Sequence, residues 1–73
     1  MNAQTFTTAG QTLFGSVWQR ELARTLELNE RSIRYYAAGT RAIPETIQPR
    51  LVALLTAKAQ ICATLANKLE RKN

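Results

Sequence analysis

Histidine and aspartate are absent from this chain, and cysteine occurs once, at Cys62. Without His or Asp, neither a histidine-based nucleophilic triad nor a His/Cys/Asp metal site can be assembled. The five glutamates are scattered, and Glu27 and Glu30 fall at a turn, where they read as solvated or as favouring a helix N-terminus. Glycine is scarce: Gly10, Gly15 and Gly39 are isolated, so no glycine-rich phosphate loop exists. A single cysteine cannot close an internal disulfide, which excludes a stapled extracellular scaffold. Its alanine-rich helical surroundings suggest a small buried apolar residue, with a dimer-interface thiol as the other option. No apolar run approaches the length of a membrane span, and the opening MNAQTFTTAG lacks the basic and apolar regions of a signal peptide. These absences argue against an enzyme, a metal or other cofactor, a small-molecule substrate and a membrane location, and they point to the cytoplasm.

What is present is positive charge. Ten Lys and Arg against five Glu leave a formal net charge of +5 on 73 residues, one small domain near the size where a lone core is marginally stable. Such an excess favours polyanions. Arg20, Arg24, Arg31, Arg34, Arg41 and Arg50 lie in or beside one segment, whereas Lys58, Lys68 and Lys72 occupy the last third. Arginine suits sites where forked, planar donors must meet a phosphate or a guanine edge.

That segment is QRELARTLELNERSIRYYAA, Gln19 to Ala38. Leu22, Leu26, Leu28, Ile33 and Tyr36 supply its apolar positions, with small Ala23 where two helices approach and a break at Glu27-Leu28-Asn29. Asn29 is a strong N-cap for the second helix. At about 100° per residue, Ile33, Tyr36 and Ala37 share one face. Arg31, Arg34, Tyr35 and Ala38 share the opposite one, with Glu30 at its flank. Two short helices joined by a tight turn, the second basic and aromatic outside, have a shape that fits the DNA major groove. Tyr36 and Trp18 read most plainly as core. Tyr35 is the tyrosine placed on DNA, against phosphate, sugar or a thymine methyl.

The flanking chain reads as further helices. Residues Met1 to Thr5 resemble a loose tail, followed by a short helix from about Thr8 to Phe14 with a threonine N-cap, core contacts from Leu13 and Phe14, and Gly15 as its stop. Ser16 to Gln19 matches a capping box that opens the next helix, whose stripe is Trp18, Leu22 and Leu26. Gly39 ends the basic helix. Pro44 to Gln48 reads as a turn leading into a long helix from Pro49 to about Arg71, roughly 33 Å at 1.5 Å per residue. Its apolar face holds Leu51, Leu54, Leu55, Ile61, Cys62, Leu65 and Leu69, too long for so small a core. Ala57, Ala59, Ala63 and Ala66 leave room for a second helix. Self-association through Leu54, Lys58, Ile61, Cys62, Leu65 and Leu69 is the expectation, with a helix that folds back onto its own core as the alternative. Lys58 sits oddly inside the apolar face unless its stem lies along the interface and its charge reaches water.

The run Leu13 to Leu55 resembles the Cro/CI-type helix-turn-helix regulators of phages and bacteria. The likeness lies in LFGSVWQRELARTL, then LNERSIRYYAAG, then the Ile43-Pro44 pair before the following helix. The run Arg34-Tyr35-Tyr36 is similar to some anti-CRISPR-associated phage repressors. The resemblance implies that Gln19 binds a DNA phosphate and that Glu30, Arg31, Arg34 and Tyr35 contact bases or backbone. It also implies a phage or bacterial source and a place at the nucleoid. One departure stands out: the family often has glycine where this chain has Glu27.

Together these readings predict one all-α domain over 1–73, a compact helix-turn-helix bundle of four to five helices. Its core would span 6–55, and a long C-terminal helix would extend it over 56–71. The expected function is a homodimeric repressor on an inverted-repeat DNA operator, reading bases through Arg31 and Arg34 and holding phosphates through Gln19, Arg41 and Arg50. Asn29, Glu30 and Tyr35 complete the expected DNA surface. A different class remains open: an antitoxin or adaptor that grips another protein with the long helix. RNA binding is a third, but the chain lacks a sheet platform with exposed aromatics.

Overall fold

The computed structural model describes residues 1–71, and among them the chain is all-helical with no strand. Helix α1 spans Ala3–Phe14 and leads through a 3-10 turn, Gly15–Val17, into α2, Trp18–Leu26. Helix α3 covers Glu30–Ala38, and the long α4 covers Ile47–Glu70.

Helix α1 starts five residues earlier than the sequence suggests, so there is no loose tail at Met1 to Thr5. Asn2, not a threonine, is the N-cap: its Oδ1 accepts from the Thr5 N–H at 2.7 Å. The tail is also anchored by Phe6, which is fully buried. Phe6 stacks edge-on against Trp18 and Tyr36, each 5.8 Å away between ring centres, and so joins α1, α2 and α3. Leu13 and Phe14 only flank this core. Gly10 permits the closest approach, since a Cβ there would lie 2.1 Å from the Trp18 ring.

The Ser16–Gln19 capping box does not form. The 3-10 turn takes its place, and α2 begins at Trp18 with no side-chain cap. Seating the indole over Gly10 positions Trp18 at the helix start, and the chain between Gly15 and Trp18 tightens to reach it. Gly15, at φ 70°, ends α1 as expected. Helix α2 then buries Trp18, Leu22, Ala23 and Leu26.

The turn from α2 to α3 closes as a Schellman motif without glycine. The Leu28 N–H donates to the Ala23 carbonyl at 2.9 Å and the Glu27 N–H to that of Arg24 at 3.3 Å. Glu27 therefore sits in the left-handed region, at φ 58° and ψ 42°. At the far end of α3 the same motif recurs with Gly39 at φ 78°, and Thr40 donates to the Tyr35 carbonyl through both its N–H and its hydroxyl.

Helix α4 opens at Ile47, two residues before Pro49, after a turn in which the Ile47 N–H donates to the Pro44 carbonyl at 3.1 Å. Pro49 thus falls in the first helical turn, where its missing N–H has no intrahelical partner to lose, and the helix runs through it. Ile47 and Leu51 complete the core. Past Lys58 the helix leaves the body, giving a molecule of 48 × 21 × 21 Å. Cys62 lies on this overhang and is exposed, not buried as its surroundings suggest.

Lys58 is explained by a contact inside the chain. Its ammonium donates to the Thr12 and Leu13 carbonyls, at 2.6 and 3.0 Å. It caps the C-terminal end of α1, where unpaired carbonyls and the negative end of the helix dipole favour a cation. The residue assigned to a dimer face is therefore a latch between α1 and α4. Leu54 is likewise packed partly against its own core. Of the six expected interface residues, Ile61, Cys62, Leu65 and Leu69 remain open to solvent.

Candidate nucleic-acid interface

The two faces of α3 separate as their spacing requires. Ile33 and Tyr36 are buried and Ala37 packs beside them, while Arg31, Arg34, Tyr35 and Ala38 point outward. Asn29 fixes the start of the helix, its Oδ1 accepting from the Ser32 N–H at 2.8 Å. That bond commits the Asn29 oxygen to the cap and leaves only its amide N–H groups for another partner.

The exposed side chains form two linked groups. Near the start of α3, Arg34 Nη1 lies 3.4 Å from the Glu30 carboxylate, one turn apart. With both side chains about half exposed, the pair stabilises the helix by only about 0.3–0.5 kcal/mol. Further along, the Arg41 guanidinium lies over the Tyr35 ring at 4.7 Å. Its Nη1 also reaches the Ser32 hydroxyl at 3.5 Å. Tyr35 therefore presents an occupied ring face, and its first duty is to hold Arg41 against α3. Ser32 was not among the expected residues. It enters because the Gly39 turn brings Arg41 back along the helix, a contact that residue spacing within α3 does not encode.

The start of α2 faces the same region. Gln19 and Arg20 line one open concavity together with Ser16, Val17, Trp18 and Glu30. No side chain caps the start of α2; the preceding 3-10 turn does so in part, the Trp18 N–H donating to the Gly15 carbonyl. Gln19 is free of the capping box. The openings of α2 and α3 thus meet at Arg20 and Glu30, with Arg31, Arg34 and Arg41 exposed along α3 and the loop after it, and each opening also carries an acid, Glu21 and Glu30.

Arg50 has a different position. Its Nη1 donates to the Leu26 carbonyl at 3.1 Å, in a partly buried bond. It caps the C-terminal end of α2 and ties α4 to the turn, so the phosphate duty expected of it competes with a structural one. The remaining candidates, Ile61, Cys62, Leu65 and Leu69, lie on the α4 overhang, away from this surface. Ile61, Leu65 and Leu69 are 61, 53 and 78 % exposed.

No family model, curated protein or solved structure matches the chain.

Proposed function

We propose that the chain is a sequence-specific double-stranded DNA-binding protein that represses transcription as a homodimer on an inverted-repeat operator. The observation that carries this reading is the outer face of α3. Its apolar side is spent on docking, and its basic side is exposed to solvent near the start of α2. Helix α3 enters the major groove, with Arg31 and Arg34 directed at guanine edges. Gln19 and Arg20 hold one phosphate strand, and Arg41, steadied by Tyr35 and Ser32, holds the other. Repression follows from occupying promoter DNA.

A second copy supplies the second half-site, its α3 about 34 Å away in the next major groove. The α4 overhang is the surface offered for pairing. Burying a large aliphatic side chain is worth about 1.5–3 kcal/mol. The exposed fractions of Ile61, Leu65 and Leu69 in two copies then yield roughly 6–11 kcal/mol. Association costs about 4–15 kcal/mol, so the free dimer is weak and the operator consolidates it.

The exposed overhang also favours a second reading, in which α4 grips a different protein, as an antitoxin or adaptor does. Sedimentation with and without duplex separates the two. Selection from a randomised duplex pool should return an inverted repeat with half-sites one helical turn apart, bound as two chains per duplex. A chain that selects no sequence and stays monomeric until a different protein is added would support the adaptor.

A further inference from the structure

Glu30 is the one acid on α3, and it stands on the face otherwise given to Arg31 and Arg34. A carboxylate brought against duplex DNA is repelled by the phosphates, so it weakens binding to every sequence unless a base donates to it. In the major groove the cytosine N4 amino group is such a donor. Guanine O6 and N7 and thymine O4 are acceptors and repel a carboxylate, and the adenine N6 amino group lies beside an acceptor, N7.

Resting on the DNA-reading proposal above, we propose that Glu30 is a specificity-determining residue that selects cytosine, and that Glu30 and Arg34 read a neighbouring C and G together. Their heads are 3.4 Å apart, close to the base-pair rise of about 3.4 Å. The two groups therefore fall on the same base pair or on adjacent ones. Arg34 donates to guanine O6 and N7 while the Glu30 carboxylate accepts from cytosine N4. The ion pair holds the guanidinium fork in place before DNA arrives. Glu30 also limits binding to other sequences, because its charge meets only acceptors where guanine or thymine stands in place of cytosine.

The test is selection from a randomised duplex pool by the parent, Glu30→Gln and Glu30→Ala. Glutamine pairs with adenine N6 and N7, so Glu30→Gln should change the preferred base at one symmetry-related position from C to A while keeping the guanine read by Arg34. Glu30→Ala should lose the preference there by about tenfold and bind unrelated duplex at least as tightly as the parent. Identical base preferences in the parent and Glu30→Gln overturn the assignment while leaving DNA reading intact. A parent that enriches no sequence overturns both. Glu30 is exposed and stabilises α3 only through the Arg34 pair and the first helical turn, so both variants should unfold cooperatively with a Tm lowered by only a few degrees, which separates a change in reading from a loss of fold.

Discussion

Glu27→Gly should make the protein more stable, which is uncommon for a substitution that removes a whole side chain. Glu27 closes the Schellman motif after α2 and holds φ 58°, ψ 42° as a non-glycine residue. A side chain in that region costs roughly 1–2 kcal/mol, because its Cβ crowds the following carbonyl. Glycine removes that cost but gives the unfolded chain about 0.4–1 kcal/mol of extra conformational freedom. The expected net gain is about 0.5–1 kcal/mol, or roughly 2–8 °C in Tm for a chain of this size. Urea unfolding followed by far-UV circular dichroism measures it, with an unchanged m-value as the sign that only stability moved. Glu27→Ala keeps the backbone strain and should show little change. Equal stability of the Gly and Ala variants would refute the strained turn, and a loss in Glu27→Gly would show that the carboxylate makes a stabilising contact.

Three other substitutions probe different parts of the molecule. Gly10→Ala places a methyl 2.1 Å from the Trp18 ring; the overpacking should cost about 1–3 kcal/mol in the same urea assay and shift the indole fluorescence. Arg50→Ala removes the cap on the Leu26 carbonyl. It should lower stability by about 1 kcal/mol with the salt dependence of DNA binding unchanged, whereas a flatter salt slope would return Arg50 to the phosphate set. Leu65→Glu breaks the exposed apolar stripe in both copies. It should weaken self-association by about 2–3 kcal/mol, on the order of a hundredfold, in sedimentation equilibrium, while the monomer melts as before.

The residues whose roles follow from local chemistry could be read directly. Asn29 and Gly39 mark the ends of α3 because caps are set by the residue itself. The split between Ile33, Tyr36 and Ala37 inside and Arg31, Arg34 and Tyr35 outside follows from helical period alone. The errors fall where a distant partner decides. Phe6 sits among polar residues, and only the Trp18 and Tyr36 rings explain why α1 begins so early. The capping box at Ser16 lost to the fit of Trp18 over Gly10. Lys58 looked like an interruption of an apolar face because its acceptors, at Thr12 and Leu13, are some 45 residues away. Pro49 suggested a helix start, yet any of the first helical positions accommodates a residue without an N–H. Arg41 and Ser32 meet only through the turn at Gly39, a contact that the spacing of residues within α3 does not encode.

Amide chemical-shift mapping with a selected duplex tests the role of α3 most directly. The largest changes should fall at the start of α2, at Gln19 and Arg20, and along α3 to the loop, at Glu30, Arg31, Arg34, Tyr35 and Arg41. Smaller changes on the α4 overhang, at Ile61, Leu65 and Leu69, should appear as two copies pair on the DNA. Changes confined to α4, or none with any duplex at low salt, would contradict a DNA-reading α3 and leave the overhang as the working surface of the protein.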